Sequence, residues 1–213
     1  MNHLLRVALA AVWLAIPHAG LAQDNARFPA LQAEQLTPEQ RAWADSIAAP
    51  PRNGKFGNAP YRAYIRSPEL AKRLSNLSDY LRWNSSLPAR LSEFAILITA
   101  RQWSQQYEWH AHYPLAIKAG LDVNVINDLA HGRRPSGMKP DEAALYDFAT
   151  QLYRDKNVTD SAYQAAVAQL GERGVMDVIG IIGYYDLVSM TLITLRAAPP
   201  PTTTVPPLPA LPK

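Results

Sequence analysis

The sequence contains no cysteine among its 213 residues. Without a thiol the chain cannot form a disulfide, bind a metal through thiolates, attack a substrate with a cysteine or run a thiol redox cycle. Charge of either sign is also sparse, since Asp, Glu, Lys and Arg make up 18% of the residues and the formal net charge is +3. No basic stripe alternates with aromatic residues, which argues against a nucleic-acid partner.

Apolar residues are plentiful and recur at the spacing of helices. They make up 48% of the chain, enough for the core of one domain with appendages. Leu70, Leu74, Leu77 and Leu81 share one face of a helix. No strand-like alternation persists and no repeat is evident, so we expect an all-α helical bundle.

The first 22 residues have the pattern of an export signal. Arg6 precedes a short apolar run from Val7 to Ile16, Pro17 interrupts that run, and small residues follow up to Ala22. The run has about half the length of a helix that spans a bilayer. We expect cleavage after Ala22 and a periplasmic or secreted protein, with an uncleaved anchor as the alternative.

Breaks in the helical pattern divide the remainder of the chain. Residues 23–66 form an N-terminal extension whose short helix starts at Thr37 and ends before Pro50. Residues 67–196 contain the helical domain. Residues 197–213 are rich in Pro and Thr, which predicts an extended, mobile and disordered tail.

The last predicted helix, from about Val175 to Arg196, is apolar nearly all round. Such a helix must be covered on most sides. Asp177 and Asp186 lie within it and would each be costly in lipid, so the pattern favours the centre of a bundle or a subunit interface over a membrane span.

A cluster of ionisable residues is the strongest candidate for a functional site. Glu108 and His112 are one helical turn apart and share a face. Glu93 lies at a core-facing position of the preceding helix, and a buried carboxylate needs a partner, which His112 can supply. A carboxylate beside an imidazole is a unit for general acid–base catalysis. A buried Glu–His bond that only joins two helices is the alternative.

Other polar residues are secondary candidates. Tyr184 and Tyr185 follow glycines in the last helix and, with Arg101, are candidates for substrate binding, although core packing is the alternative for each. His110 and His112 point to opposite sides of a helix and cannot chelate a metal together. A metal site of Glu93, Glu108 and His112 remains open only as a third hypothesis, a metal-dependent hydrolase.

Two segments resemble the carboxymuconolactone decarboxylase family of the alkylhydroperoxidase D-like superfamily. RLSEFAILITARQWSQQYEWHAHYPLAIKAGL resembles the core helix pair of that fold, and GVMDVIGIIGYYDLVSMTLITL resembles its closing helix. The resemblance covers about Ser67 to Arg196. It implies an oligomeric helical bundle, a trimer or a hexamer of the chain, with no cofactor.

The alkylhydroperoxidase D-type pattern has a glutamate, then a C-x-x-C pair, then a histidine four residues later. By this resemblance Glu93 matches the proton-relay glutamate and His112 the histidine, while Gln105 and Glu108 stand where the cysteines would be. A thiol peroxidase cycle needs both sulfurs. A family label of peroxiredoxin activity therefore has no support from these residues.

The decarboxylase branch works without those cysteines, and its members act on a lactone that bears a carboxylate. The resemblance thus implies a lyase in which His112 is the acid–base, Glu108 orients it and Glu93 is the second proton carrier. A small-molecule substrate and other copies of the chain are the expected partners. A non-catalytic binder or a structural oligomer is the alternative.

Overall fold

The computed structural model describes residues 27–199 and 204–211. Residues 1–22, for which the sequence predicts an export signal, lie outside the described residues. Throughout the described ranges the regular structure is helical and there is no β-strand, so the predicted all-α class is confirmed. Oligomerisation stays a prediction.

The helices follow the predicted order. A short 3-10 helix at Ala33–Gln35 precedes the α-helices, which in the described residues are α1 Pro38–Ala48, α2 Tyr61–Tyr64, α3 Pro68–Trp83, α4 Ala89–Gln102, α5 Gln106–Lys118, α6 Val123–Ala130, α7 Pro140–Asp155 and α8 Asp160–Leu195. The side chains of Thr37, Asp122 and Thr159 cap α1, α6 and α8 by accepting from backbone N–H groups of the first turn. Gln105 caps α5 in the same way, since its side chain accepts from the backbone N–H of Tyr107.

Helix α4 is the centre of the bundle. Every residue from Leu91 to Arg101 is buried, and the helix packs against α5, α7 and α8. For the last helix, which is apolar nearly all round, the sequence favours the centre of a bundle or a subunit interface. In the structure α8 buries one face on α4 and α7 and exposes Met176, Ile179, Met190 and Ile193 on the other.

Helix α8 changes direction at Gly171, where φ is 70° and ψ is 165°. By length and composition α8 is a candidate membrane span in the described part of the chain, with half of its most apolar window buried in the bundle. Asp177 accepts hydrogen bonds from Ser86 N and Oγ and from Tyr80 Oη, at 2.6 to 2.8 Å. A carboxylate that is held by hydrogen bonds to neighbouring parts of the bundle indicates that α8 packs inside the protein.

The tail departs from its predicted mobility. Residues 204–211 are extended, as their prolines predict, but they lie against α5 and bury Val205 and Leu208 in the core. Gln106 Nε2 donates to Leu208 O at 2.8 Å, and Leu208 N donates to Gln106 Oε1 at 3.0 Å. The expectation of a disordered tail is therefore wrong for these eight residues, because composition does not reveal the groove that receives them.

Candidate functional site

The structure brings together the three residues of the predicted acid–base cluster. His112 Nδ1 lies 2.6 Å from Glu93 Oε2, and His112 Nε2 lies 3.4 Å from Glu108 Oε2. All three residues are buried. The imidazole therefore stands between two carboxylates, one at each ring nitrogen.

Local helix geometry accounts for this arrangement. Glu108 and His112 are separated by one turn of α5, which places both on the same face. Three residues join α4 to α5, and so short a connection makes the two helices antiparallel neighbours. Ser104 turns the chain with a positive φ of 50°, and Gln105 N donates to Ala100 O. The turn thereby carries the His112 face of α5 back across Glu93.

Two further groups complete the cluster. Arg82, at the end of α3, places a guanidinium nitrogen 3.9 Å from Glu93 Oε1. The ring of Tyr185 meets the ring of His112 edge-on, with centroids 5.1 Å apart, and Tyr184 contacts Tyr185 in the same way. The sequence predicts both tyrosines but not Arg82, whose only signal is its place beside the apolar face of α3.

Burial sets the protonation of the cluster. It raises the pKa of the Glu108 carboxyl, and the charge of Glu93 adds to this, although His112 and Arg82 pull in the other direction. Burial also holds the pKa of the Tyr185 hydroxyl well above its usual range. Burial would lower the pKa of Arg82, but Tyr185 and Glu93 outweigh that effect and raise it. The cluster thus contains a fixed cation, a neutral phenol and a carboxyl that holds its proton unusually tightly.

Solvent reaches the cluster from the side of Arg82. The exposed fraction of the side chain falls from 29% at Arg82 to 12% at Glu93, and to 6% at Glu108 and 5% at His112. A cavity of about 860 Å³ lies elsewhere, between α1 and α3, and neither the carboxylates nor the imidazole of the cluster line it. Arg82 therefore marks the most exposed side of the cluster, and His112 and Glu108 mark the least exposed side.

Arg101 does not join the cluster. Its guanidinium donates to Ala130 O at 2.9 Å, to Pro209 O at 2.8 Å and to Ser104 Oγ at 2.6 Å. It follows Glu93 by eight residues on α4, which is about 12 Å along the helix axis. The structure thus places Arg101 outside the cluster, in contact with the tail and the end of α6, and its role in substrate binding stays a prediction.

The described residues contain no group of three or more His, Asp or Glu side chains disposed to hold a metal ion. Both ring nitrogens of His112 already face carboxylates, at Glu93 and Glu108.

Comparison with known proteins agrees with this fold. The sequence model of the carboxymuconolactone decarboxylase family matches residues 68–151. The chain has no significant match among the curated proteins compared with it.

Three solved structures of low sequence identity share the architecture. An uncharacterised peroxidase-related protein from Ralstonia eutropha with an alkylhydroperoxidase AhpD core has a TM-score of 0.67 at 16% identity, over 82% of this chain and 92% of its own. A peroxidase-related protein from Silicibacter has a TM-score of 0.63 at 14% identity, over 83% and 94%. A putative antioxidant defence protein AhpD from Agrobacterium tumefaciens has a TM-score of 0.55 at 19% identity, over 66% and 97%.

These three likenesses show the fold. The match of the family model shows which part of the chain is similar in sequence to the family. Residues 68–151 run from the start of α3 into α7 and so include Arg82, Glu93, Glu108 and His112. This part of the chain is thus similar in sequence to the carboxymuconolactone decarboxylase family, and the fold around it is similar to alkylhydroperoxidase D-like structures, in a sequence without cysteine.

Proposed function

We propose that the protein is a lyase of proton-transfer type that acts on a small lactone or carboxylic acid without a thiol, metal or organic cofactor. The observation that carries the proposal is the buried imidazole of His112 between the carboxylates of Glu93 and Glu108. Family resemblance at residues 68–151 supports a decarboxylase-like reaction at the level of the family.

We assign the catalytic roles of the two carboxylates differently from the prediction made on the sequence. Glu93, at 2.6 Å, is close enough to fix the orientation of the His112 ring. Glu108, at 3.4 Å and with a raised pKa, is the better proton donor. The roles predicted for the two glutamates are therefore exchanged in the proposal, while His112 remains the acid–base group.

Each group then has a defined part in the reaction. Arg82 pairs with the carboxylate of the entering substrate at the solvent side. As the bond to the carboxylate carbon breaks, carbon dioxide leaves and the electron pair of that bond moves into a double bond with the carbon of the neighbouring carbonyl, which gives an enolate. Glu108 or protonated His112 delivers a proton to the carbon end of the enolate, and water returns a proton to the group that gave it. Glu93 stabilises the imidazolium of His112 while that ring is protonated.

A thiol peroxidase reaction is not proposed, although two of the similar structures are described as peroxidase-related. That reaction needs a thiolate to attack the peroxide and a second thiol to resolve the sulfenic acid. The sequence has neither.

The place of action and the assembly belong to the proposal as well. The pattern of residues 1–22 supports export to the periplasm or the medium. The apolar residues that α8 leaves exposed support self-association, and a trimer or a hexamer is the assembly that the family resemblance implies. A small-molecule substrate is the other partner, and no nucleic acid is proposed.

One observation favours a second candidate, a structural or binding oligomer without catalysis. Glu93, Glu108 and His112 satisfy one another, and all three are buried. A buried polar cluster of this kind can have a purely structural role, which is to join α4 to α5. The two candidates differ in turnover, not in geometry.

The test is turnover of a panel of carboxylated lactones and β-keto acids by the wild type and by His112→Gln. We expect His112→Gln to lower kcat/KM by about 10²- to 10⁴-fold, since general acid–base groups contribute on that scale. His131→Gln is the matched control, because His131 is an exposed histidine outside the cluster whose Nδ1 bonds the backbone carbonyl of Asn127.

Equal turnover by the wild type and His112→Gln would exclude the proposed role of His112. If the panel gives no turnover while His112→Gln melts well below the control, the structural candidate replaces the enzyme.

A further inference from the structure

The C-terminal segment of residues 204–211 lies in a groove lined by the end of α4, α5 and α6. Four hydrogen bonds join the backbone of residues 206–209 to side chains of the groove. Trp109 Nε1 donates to Pro206 O at 3.0 Å, and Arg101 donates to Pro209 O at 2.8 Å. The amide of Gln106 both donates to and accepts from Leu208, at 2.8 and 3.0 Å.

From this arrangement we propose that Arg101, Gln106 and Trp109 form a binding site for a proline-rich segment in polyproline II conformation, with residues 204–211 as its resident ligand. We name this site the tail groove. It does not depend on the proposed lyase activity, because none of its three donors belongs to the acid–base cluster.

The spacing of the contacts matches that conformation. A polyproline II helix has three residues per turn and leaves its backbone groups free, since it forms no internal hydrogen bonds. Pro206 and Pro209 are three residues apart, so their carbonyls point to the same side and meet Trp109 and Arg101 in register. A proline has no backbone N–H, so the groove contacts the prolines with donors that bond their carbonyl oxygens. Leu208 does have a backbone N–H, which donates to the side-chain oxygen of Gln106.

The apolar contacts repeat with the same period. Val205 and Leu208 are buried, at 7% and 5% exposure. Leu211, three residues further on, lies over Gly132, where an added Cβ would stand 2.9 Å from a methyl group of Leu211. A side chain at position 132 would thus compete with Leu211 for the same space. Apolar side chains at every third residue on one side of the segment, with carbonyls bonded by aromatic and polar donors, are typical of polyproline recognition.

Two of the donors are also held by contacts outside the tail. Trp109 is buried, and Arg101 is anchored by Ala130 O and Ser104 Oγ. Donors that are fixed in this way lose little conformational entropy on binding. The tail groove should therefore recognise the segment by its own structure, without needing the covalent connection.

The experiment separates recognition from that connection. Leu208→Asp in the full chain puts a charge into the apolar contact and should displace the tail. A fluorescent peptide with the sequence of residues 201–213 is then added, and its anisotropy is followed. We expect the peptide to bind the Leu208→Asp chain and to bind the wild type much more weakly, since the wild-type tail occupies the groove.

Two controls test whether the added peptide makes the same contacts as the tail. Gln106→Ala in the Leu208→Asp chain should weaken peptide binding about tenfold, the effect of losing a paired hydrogen bond. A peptide that itself carries Leu208→Asp should not bind. Far-UV circular dichroism checks that each chain is folded. No binding of the wild-type peptide to a folded Leu208→Asp chain, or binding that Gln106→Ala leaves unchanged, would overturn the proposal.

Discussion

At the scale of single residues, Glu108 shows how burial and charge oppose each other. Its carboxyl lies inside the bundle with one imidazole nitrogen 3.4 Å away, and burial raises its pKa. A carboxyl whose pKa is higher in the folded chain than in the unfolded one binds its proton more tightly when folded. Its contribution to stability is therefore complete below the ordinary carboxyl range and is lost as pH rises through the raised pKa.

The effect of Glu108→Gln on the stability of the fold should consequently become more favourable as pH rises. The amide cannot ionise, so the melting temperature of the variant relative to the wild type should increase between about pH 4 and about pH 8. Scanning calorimetry across that range measures the difference. A difference that is constant with pH would show that Glu108 ionises as easily in the folded chain as in the unfolded one.

Some of the site residues follow from the sequence, and others do not. A carboxylate at a core-facing position of α4 must find a partner, and the spacing of Glu108 and His112 offers one on the next helix. Arg82 and Arg101 could not be assigned in this way. Both are long side chains whose direction is set by tertiary contacts, and in the structure Arg82 meets the cluster while Arg101 meets the tail.

At the scale of secondary-structure elements, one side chain organises the connection between α6 and α7. Asp128 Oδ1 accepts from the guanidinium of Arg133, and Asp128 Oδ2 accepts from Ser136 N and Oγ, at 2.7 to 3.1 Å. The backbone N–H of Ser136, then Arg133 and the Ser136 hydroxyl, lower the pKa of Asp128 to about 2. A carboxyl with a depressed pKa stabilises the fold above its unfolded pKa, and the contribution is lost as pH falls towards 2.

Asp128→Asn should therefore lower the free energy of unfolding at neutral pH, by an amount that narrows as the medium is acidified below about pH 4. Urea titrations at several pH values measure this difference. Asp147→Asn is the matched control, because its ion pair with Arg134 lies in solvent and should contribute little. A penalty for Asp128→Asn that is equal at all pH values would contradict the assignment.

The helices themselves are the part of the fold that the sequence predicts best. Caps at Thr37, Asp122 and Thr159 and prolines in first turns are local signals, and they mark the helix starts correctly. The docked tail is not predictable in the same way. Its prolines specify an extended chain, but the groove that binds it is built from residues about 100 positions away in the sequence.

At the scale of the whole molecule, the second part of α8 leaves a row of apolar side chains uncovered. Met176, Ile179, Met190 and Ile193 are exposed by 39 to 62%, and their spacing places them on one side of the helix. Apolar rows of this size usually mark a surface that another molecule covers. We therefore predict that a further copy of the chain covers this surface, as the proposed self-association requires.

Met190→Lys should accordingly shift the protein to a smaller assembly, because a charge would be buried in the contact. Light scattering after size-exclusion chromatography measures the mass. Leu70→Lys is the control, since Leu70 is 51% exposed on α3 and lies outside the row. If Met190→Lys keeps the mass of the wild type, then this face of α8 is not the contact between copies.

Which helix is central could not be predicted from composition. Both α4 and α8 are rich in apolar residues, and the choice between them depends on how the chain turns between helices. In α8 the chain turns at Gly171, whose backbone angles lie in a region of φ and ψ that is essentially restricted to glycine. A straight helix of 36 residues would be about 54 Å long, well beyond the reach of the shorter helices around it. Any residue with a β-carbon would be strained at these angles, so the bend between the two parts of α8 depends on the absence of a single carbon atom.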